Sequence, residues 1–323
     1  MTVPPGTRVM LRYRLPPGHT HPMTDVIGEL VSADAVAVSV RAKDGALVQV
    51  AADRIVALKP LGPKPVRTSE IRALEAAAAD GWPGVEQEWI TGWQLRFGHG
   101  FTGRANSAVP LEPGAAADSE TVAAISARYD ARGLTPILAL PDRLATAPAG
   151  WSAFNETVVM AADISNLVLR EGDSPVTVTP EPTVDWLSSL RYQGREATTG
   201  AAEVVSAVRN GTLGFGAIGN AGVGSIAVGR AAVTAAPDGR SWVGLTSLWV
   251  SPEHRRNGLG TLMCGELVRW GRENGATHAY LQVAVDNTDA QALYRDLGFG
   301  EHHRYRYARP DDAIGREPVG RVL

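Results

Sequence analysis

Cysteine is almost absent from this sequence of 323 residues, which contains only Cys264. A single cysteine excludes an intramolecular disulfide and a cysteine-rich zinc site, and it favours a reducing cytoplasm. Long apolar runs are also missing. No stretch reaches the ~18 residues of a membrane span, and the opening segment lacks the apolar centre of a secretory signal. We therefore expect a cytoplasmic protein with no membrane partner.

Lysine is nearly as scarce, and the formal net charge is only −3. All three lysines lie within the first 64 residues, and every other fixed cation is an arginine. The formal charge is +4 for residues 1–67, −6 for residues 68–172 and −1 for residues 173–323. Because the chain has no basic body, nucleic acid is not expected as its main partner.

Apolar residues are plentiful, at 44% of the chain, which is enough to bury cores in two or three domains. Residues 6–58 alternate apolar and polar positions in five short runs, with turn signals such as Asp44-Gly45 between them. This pattern predicts five strands, which we expect to close as a small barrel over residues 1–62. The pattern resembles the SH3-like and Tudor-like barrels, a likeness that indicates a fold and no chemistry.

Residues 66–172 follow a linker that is rich in proline and glycine. They contain an alanine-rich helix, for which we predict a hydroxyl cap at Thr68-Ser69, and strands around a glycine-rich turn. Three tryptophans fall within twelve residues of this segment. We predict an α+β region here, with the tryptophans in its core and at an interface; the alternative is that they line a substrate site.

Residues 173–323 alternate strands and helices, which is typical of an α/β arrangement. The predicted strands Trp242–Val250 and Ala279–Val285 are joined by a single helix. Two strands connected in this way pair in parallel, because a crossover helix returns the chain to the same end of the sheet.

A glycine-containing loop stands between the first of these strands and its helix. The apolar residues after the loop repeat on one helical face, so the loop ends at a helix amino terminus. Free backbone N–H groups and the positive end of the helix dipole meet there, and Gly258 and Gly260 allow an anion to approach closely. Arg255 and Arg256 add charge and Thr261 adds a hydroxyl. We expect a phosphate or pyrophosphate, although no Walker sequence is present.

A second segment begins about thirty residues later. Asn287 or Thr288 can cap a helix that Gly298 ends in a left-handed conformation, with Phe299 packing behind it. On helical periodicity alone, Tyr294 is either a core residue or a functional one.

The two segments together carry the paired pattern R-x-x-G-x-G and N-x-x-A-x-x-L-Y-x-x-x-G-F, the second running from Asn287 to Phe299. This pair resembles the signature of the GNAT superfamily of N-acetyltransferases, over roughly residues 173–310. The resemblance implies the GNAT fold, a mixed sheet with a splayed parallel strand pair. Residues 66–172 repeat the order of helix, Arg-Gly-Leu and strand, with Tyr129 roughly where Tyr294 falls. We hypothesise that they form a degenerate GNAT-like half, and the alternative is an unrelated α+β spacer.

The resemblance also implies that the chain uses acetyl-CoA as a cosubstrate and needs no metal. The implied contacts come from the splayed strand and the two motifs: Leu248, Val250, Arg255, Arg256, Asn257, Gly258, Leu259, Gly260, Thr261, Asn287 and Tyr294. Two of these residues carry implied catalytic roles. The backbone N–H of Val250 would stabilise the negative charge on the acetyl carbonyl oxygen, and Tyr294 would protonate the leaving thiolate.

The sequence does not single out a general base, because residues 244–250 contain neither an acid nor a histidine. The candidates are Ser247, Asp286, Glu86 and Glu88. Covalent catalysis through the single cysteine is not expected, since that residue falls inside a predicted helix.

The acceptor amine also stays open, between a small molecule and a protein lysine. Asp185 and Glu196 could attract a cationic substrate, but they fit a solvated surface equally well. The alternative function is a non-catalytic acyl-CoA sensor or scaffold whose barrel binds a protein or nucleic acid. Whether the chain forms a homo-oligomer is left open as well.

Overall fold

The computed structural model describes residues 3–62, 65–170, 172–192, 195–196, 200–220 and 224–313, without the side chains of 191–192, 195–196 and 220. The chain divides into two compact units, Met1–Pro65 and Val66–Leu323. Within the described ranges, no helix is long and apolar enough to cross a membrane.

The first unit is one antiparallel sheet that contains the five predicted strands, and its closure into a barrel stays a prediction. The strands are β1 (Arg8–Arg14), β2 (Met23–Ala33), β3 (Ala37–Ala42), β4 (Leu47–Ala51) and β5 (Ile55–Pro60). Their order is β4-β3-β2-β1-β5, and β2 pairs with β1 along its first half and with β3 along its second. Gly45 has φ +86 in the turn between β3 and β4, a conformation that glycine adopts without strain.

The second unit is built on a mixed sheet of eleven strands. They are β6 (Glu86–Ile90), β7 (Trp93–Phe97), β8 (Ala108–Pro110), β9 (Leu138–Pro141), β10 (Trp151–Asp163), β11 (Thr177–Thr179), β14 (Gly211–Asn220), β15 (Gly224–Ala235), β16 (Ser241–Val250), β17 (His278–Ala284) and β18 (Gly300–Pro310). Their order is β11-β14-β15-β16-β17-β10-β18-β9-β8-β7-β6. The strands β12 (Arg191–Tyr192) and β13 (Arg195–Glu196) form a separate pair.

Helices cover both faces of this sheet. They are α1 (Thr68–Gly81), α2 (Ser119–Asp130), α3 (Val184–Ser188), α4 (Ala201–Val205), α5 (Leu259–Glu273) and α6 (Thr288–Asp296). Successive residues of a strand point to opposite faces, so Val243 packs with Leu267 of α5, and Trp242 with Ala77 of α1. We call these two sides of the sheet the α5 face and the α1 face.

The arrangement of two parallel strands joined by one helix occurs twice in the sheet. The parallel pair β16–β17 is joined by α5, as predicted, and the parallel pair β8–β9 is joined by α2. Between these pairs, β10 lies beside β17 and β18 lies beside β9, so the segments before and after residue 172 exchange a strand. The predicted domain boundary between residues 172 and 173 stays a prediction, because both segments contribute strands to one sheet.

Two local predictions in the second unit are wrong. The helix α1 begins at Thr68 itself, with Arg67 as its cap, and the Glu70 carboxylate accepts a hydrogen bond from the Arg67 N–H at 2.8 Å. The hydroxyl cap is therefore replaced by a carboxylate from inside the first turn. The expected place of Tyr129 also differs, because its helix α2 joins a parallel strand pair as α5 does, whereas Tyr294 lies in α6.

Candidate functional site

The strands β16 and β17 are paired only along their first halves. Their register runs from Trp242 opposite His278 to Leu245 opposite Leu281, although both strands continue beyond these residues. A bulge in β16 begins at the same level, where Ser247 has φ +52 and the register with β15 shifts. An extra residue of this kind bends a strand and ends its pairing. The result is a cleft between the second halves of β16 and β17.

Backbone donors of β16 line this cleft. The N–H of Ser251 donates to the Ile226 carbonyl of β15 at 2.8 Å. Because neighbouring N–H groups along a strand point to opposite edges, the N–H of Val250 points away from β15 and into the cleft, as does that of Leu248. Both residues are half-buried, with side chains that pack on the α5 face. The structure therefore places both predicted strand residues at the cleft.

The helix α5 begins directly after this strand and its loop. Gly258 is the N-cap residue with φ +76, and the first hydrogen bond inside the helix runs from the Leu262 N–H to the Gly258 carbonyl at 3.0 Å. The N–H groups of Leu259, Gly260 and Thr261 therefore have no carbonyl of their own helix to bind. Among the described residues, no heavy atom outside Gly258 and its chain neighbours lies within 4 Å of the position that a Gly258 Cβ would occupy. This open terminus fits an anion.

The two arginines of the first motif are already engaged. The Arg255 Nε donates to the Val250 carbonyl at 3.2 Å, which ties the loop back to its own strand. The Arg256 Nη2 lies 2.8 Å from the Asp289 Oδ2, and both side chains are exposed. This second pair connects the loop to the first turn of α6. Asn257, between Arg256 and the helix cap, is exposed.

Asn287 caps α6, which decides between the two predicted caps. Its side-chain oxygen accepts a hydrogen bond from the Ala290 N–H at 3.2 Å, and Thr288 is the first helical residue. The helix thus begins immediately beyond β17, at the cleft end of that strand. Leu293 of α6 also lies close to the start of α5, because a Cβ on Gly260 would stand 3.4 Å from the Leu293 Cδ1.

Tyr294 follows Leu293 and packs on the α5 face of the core. Its ring meets Phe299 edge to face, with 6.4 Å between the ring centroids. Its hydroxyl makes no hydrogen bond to the residues that the structure describes. Burial, with a contribution from the nearby Cys264 thiol, raises the pKa of Tyr294 well above its usual value, so the phenol stays protonated near neutral pH.

Cys264 itself lies inside α5 and is buried. Burial raises the pKa of its thiol to about 12. A thiol that stays protonated is a poor nucleophile, so the observed environment agrees with the expectation that this cysteine is a packing residue.

The candidate bases fall in different places. Ser247 lies in the bulge of β16, and Asp286 follows β17 at the cleft end of that strand. Glu86 and Glu88 lie on β6, the last strand at the opposite end of the sheet, and both pair with Arg132. The structure therefore removes these two glutamates from the site.

The positions of Asp185 and Glu196, the acids that could attract a cationic acceptor, do not decide whether they do so. Asp185 lies half-buried in the first turn of α3. The side chain of Glu196 lies outside the described residues. The part of the second unit that the structure describes contains no group of three or more His, Cys, Asp or Glu side chains that could hold a metal ion.

A buried polar set on the α1 face was not predicted from the sequence. Glu75 of α1 lies 2.9 Å from the His303 Nε2, and the His303 Nδ1 lies 2.8 Å from the His302 Nδ1. Arg96 is also buried there, between the apolar positions Leu95 and Phe97 that face the other side. Arg96 stands between apolar residues of a strand, and this charged residue in an apolar run was the feature of the sequence that could have predicted the set.

Acidification should destabilise the second unit through His302. Burial lowers the pKa of this residue to about 4, and the neighbouring His303 adds to the shift. The unfolded chain therefore binds the proton more tightly, and the free energy of unfolding falls as the pH drops from 6.5 towards 4, by about 2–3 kcal/mol. Urea unfolding at pH 7.5 and pH 5 measures this loss. The variant His302→Gln should show a smaller loss, and an equal loss in both proteins would contradict the assignment.

Comparisons with known proteins agree with this geometry. Residues 68–308 match the family model "Probable histone acetyltransferase Rv0428c C-terminal", and residues 3–59 match "Rv0428c N-terminal Sm-like domain". The chain is 42% identical over 311 residues to the "Probable histone acetyltransferase Rv0428c" of Mycobacterium tuberculosis, with 96% of each protein covered. It is 29% identical over 255 residues to the "Uncharacterized N-acetyltransferase YobR" of Bacillus subtilis, covering 74% of this chain and 99% of that protein.

A solved structure shares the fold of the second unit. It is a GCN5-related N-acetyltransferase from Kribbella flavida, with a TM-score of 0.54 and 18% identity, covering 76% of this chain and 97% of that one. For the first unit, the matched description is Sm-like, in place of the SH3-like or Tudor-like barrel expected from the pattern. For the second, one family model spans both segments that the sequence had separated.

Proposed function

The chain belongs to the Rv0428c family of GNAT acetyltransferases, and from this membership we propose that it moves an acetyl group from acetyl-CoA to a primary amine. The observation that carries the proposal is the cleft between β16 and β17, which opens at the Ser247 bulge. The open amino terminus of α5 follows the same strand, and Tyr294 lies on the same face of the sheet.

The residues present fit acetyl-CoA. When bound, it would supply an acetyl group on a thioester, an acyl donor that amines attack readily. The N–H groups of Leu259, Gly260 and Thr261 would hold its pyrophosphate, helped by the positive end of the α5 dipole. The N–H groups of Leu248 and Val250 would hold the arm and the carbonyl oxygen in the cleft.

Two residues would act on the reaction itself. An amine that attacks a thioester builds negative charge on the carbonyl oxygen, and the fixed N–H of Val250 would stabilise that charge without reorganisation. Tyr294 would donate its proton to the departing thiolate, since its raised pKa keeps the phenol protonated until charge develops on sulfur. Asn287 would touch the same donor while its side-chain oxygen caps α6.

The amine must lose a proton before it attacks. Ser247 and Asp286 lie at the two strands that flank the cleft, and we keep both as candidates for the group that removes this proton. The name of the Mycobacterium tuberculosis relative extends the acceptor class to protein lysines, alongside small amines. No described feature favours the alternative of a non-catalytic acyl-CoA sensor.

The direct test uses the purified full-length chain, acetyl-CoA and a panel of amines. We expect release of free CoA, measured with a thiol reagent, in step with an acetylated amine found by mass spectrometry. Tight binding of acetyl-CoA without transfer to any small amine or lysine peptide would instead support a sensor.

A charge placed at the start of α5 should separate binding from folding. The variant Thr261→Asp puts a carboxylate in the first turn of a helix that has no acid there, which should leave the free energy of unfolding equal or raise it by about 0.5 kcal/mol. The same charge would repel a pyrophosphate, so we expect the dissociation constant of acetyl-CoA, measured by calorimetry, to rise about tenfold.

The control for this variant is Ser119→Asp, which adds the same charge in the first turn of α2. It should leave acetyl-CoA binding unchanged. If Thr261→Asp binds acetyl-CoA as tightly as the original chain does, the α5 terminus does not hold the pyrophosphate.

A further inference from the structure

The fixed charges buried in the second unit are mostly positive. Among the described residues, three arginines and one carboxylate have less than a tenth of their surface exposed: Arg96, Arg104, Arg230 and Glu75. All three arginines lie on the α1 face, and we call them the arginine cluster. Buried charge is costly unless it is compensated, so an excess of buried guanidinium groups calls for an anion.

The buried carboxylate does not supply that anion to the whole cluster. The Glu75 Oε1 is occupied by the His303 Nε2 at 2.9 Å. Arg96 binds the Ser107 carbonyl and hydroxyl, and Arg230 binds three backbone carbonyls and, at 3.4 Å, the Thr246 hydroxyl. These neutral acceptors satisfy hydrogen bonds but carry no charge, and Glu75, which acts on Arg96, is a single carboxylate among three guanidinium groups.

Arg104 is the member of the cluster with incomplete partners. Its Nε is buried and makes no hydrogen bond within the described residues, and its guanidinium carbon lies 5.8 Å from the centre of the Trp82 ring. The guanidinium hydrogen-bonds to the Tyr305 hydroxyl, and the phenols of Tyr280 and Tyr307 are also neighbours. The hydroxyl oxygens of Tyr305 and Tyr307 lie 3.3 Å apart. Phenols and a guanidinium are together a set of donors for an anionic oxygen.

Gln94 adds a second buried group without a partner. It lies on β7 two residues before Arg96, so both side chains point to the α1 face, and none of its surface is exposed. Neither its amide oxygen nor its amide nitrogen makes a hydrogen bond within the described part of the chain. Unpaired buried polar groups are rare in folded proteins, and their presence here marks the region as built for something other than stability.

The cluster stands next to the cleft. Tyr280 is paired with Gly244 one position before the last pair of β16 and β17, and Arg230 reaches Thr246 just before the bulge. Tyr294 lies on the α5 face of the same cleft. The arginine cluster and Tyr294 therefore lie on opposite faces of the sheet beside the same cleft.

From this arrangement, and resting on the proposed transfer reaction, we infer that the acceptor is an amine that carries an anionic group, a carboxylate or a phosphate, and that Arg104 binds that group. The anion would compensate the buried guanidinium and fix the distance between its binding point and the attacking nitrogen. A lysine-rich peptide would instead bring further positive charge towards three buried cations, which is unfavourable.

The test compares amines that differ in the anion. One pair is 4-aminobutyrate and butylamine, the other is phosphoethanolamine and ethanolamine, and a lysine-rich peptide is the cationic arm. We expect kcat/KM for the better anionic amine to exceed that of its neutral partner about 10- to 100-fold, the worth of charge-assisted hydrogen bonds. The better pair tells whether the site prefers a carboxylate or a phosphate.

Variants assign this preference to Arg104. Arg104→Met should bring the ratio of anionic to neutral amine close to one, mainly through KM, with acetyl-CoA binding unchanged. Arg104→Lys should restore part of the ratio because it restores the charge. The control is Arg128→Met, which removes an exposed arginine of α2 and should leave the ratio unaltered. Should Arg104→Met fail to fold, the charge-preserving variant alone must still lower the ratio.

A second measurement separates this inference from the proposed function. Inorganic phosphate and acetate, at matched ionic strength, should raise the unfolding temperature of the original chain more than that of Arg104→Lys or Arg104→Met. Where transfer occurs, a ratio of one or less overturns the anionic acceptor and leaves the transferase standing. If no amine reacts, the proposed function fails. The anion site is then tested by the rise in unfolding temperature with phosphate or acetate alone, and an equal rise in the Arg104 variants contradicts it.

Discussion

Replacing Tyr294 by phenylalanine should lower kcat about 100-fold or more, while the dissociation constant of acetyl-CoA stays nearly unchanged. The change removes one hydroxyl from a half-buried ring and leaves its packing against Phe299 in place. If the phenol supplies the proton to the leaving thiolate, only the chemical step loses it. Steady-state kinetics and calorimetry with acetyl-CoA measure the two quantities separately.

Stability gives this prediction an internal control. The Tyr294 hydroxyl makes no hydrogen bond within the described residues, so Tyr294→Phe should leave the free energy of unfolding almost unchanged. The matched variant is Tyr129→Phe, whose buried hydroxyl donates to the Arg96 carbonyl at 3.1 Å. That variant should lose about 1 kcal/mol of stability and keep its kcat, which is the reverse pattern.

Two outcomes would contradict the role of Tyr294. An equal loss in kcat and in acetyl-CoA affinity would mean that the hydroxyl binds the cosubstrate instead of donating a proton. The pH profile is a further check. Because burial raises the pKa of Tyr294, its deprotonation should contribute no fall in kcat on the alkaline side below the usual range of a free phenol.

Replacing Arg230 by methionine should destabilise the second unit by about 3–5 kcal/mol. None of the surface of Arg230 is exposed. It donates to the carbonyls of Val205 at 2.6 Å, Gly81 at 2.9 Å and Ala207 at 2.7 Å. The substitution would leave these three carbonyls without their donor, and it would disconnect the ends of α1 and α4 from β15. The midpoint of urea unfolding measures the loss.

The control for Arg230 is Arg209→Met. Arg209 is partly exposed and pairs with Asp80 at 2.8 Å, so its removal should cost about 1 kcal/mol or less. Arg230→Lys should recover little, because an ammonium group cannot reach three carbonyls in the planar arrangement of a guanidinium. A loss of under 1 kcal/mol for Arg230→Met would mean that the carbonyls find other donors.

Features that depend on neighbouring residues could be predicted closely from the sequence. The helix α5 begins at Leu259 behind Gly258, and α6 is capped by Asn287, one of the two predicted caps. Both features involve residues only a few positions apart. The five strands of the first unit and the parallel pairing of β16 with β17 follow from similar local patterns and from the handedness of a crossover.

Features that depend on distant pairing could not be predicted in this way. Nothing near β10 in the sequence indicates that it inserts between β17 and β18, more than a hundred residues later. The same lack of local signal misplaced Glu86 and Glu88, which were candidate bases until the strand order set β6 at the far end of the sheet. The bulge at Ser247 likewise becomes visible only in the register with β15.

From the sequence alone, the single cysteine excluded an intramolecular disulfide, and the two glycine-containing motifs indicated an acetyltransferase and predicted an anion site at a helix terminus. Only the tertiary structure decided which charges are buried. In the sequence, nothing distinguishes Arg104 and Arg230 from an exposed arginine. Their burial follows from the long-range packing of α1, β15 and the loop after β7. Burial is what turns these side chains from solvated charges into groups that require a partner, because desolvation penalises an uncompensated charge.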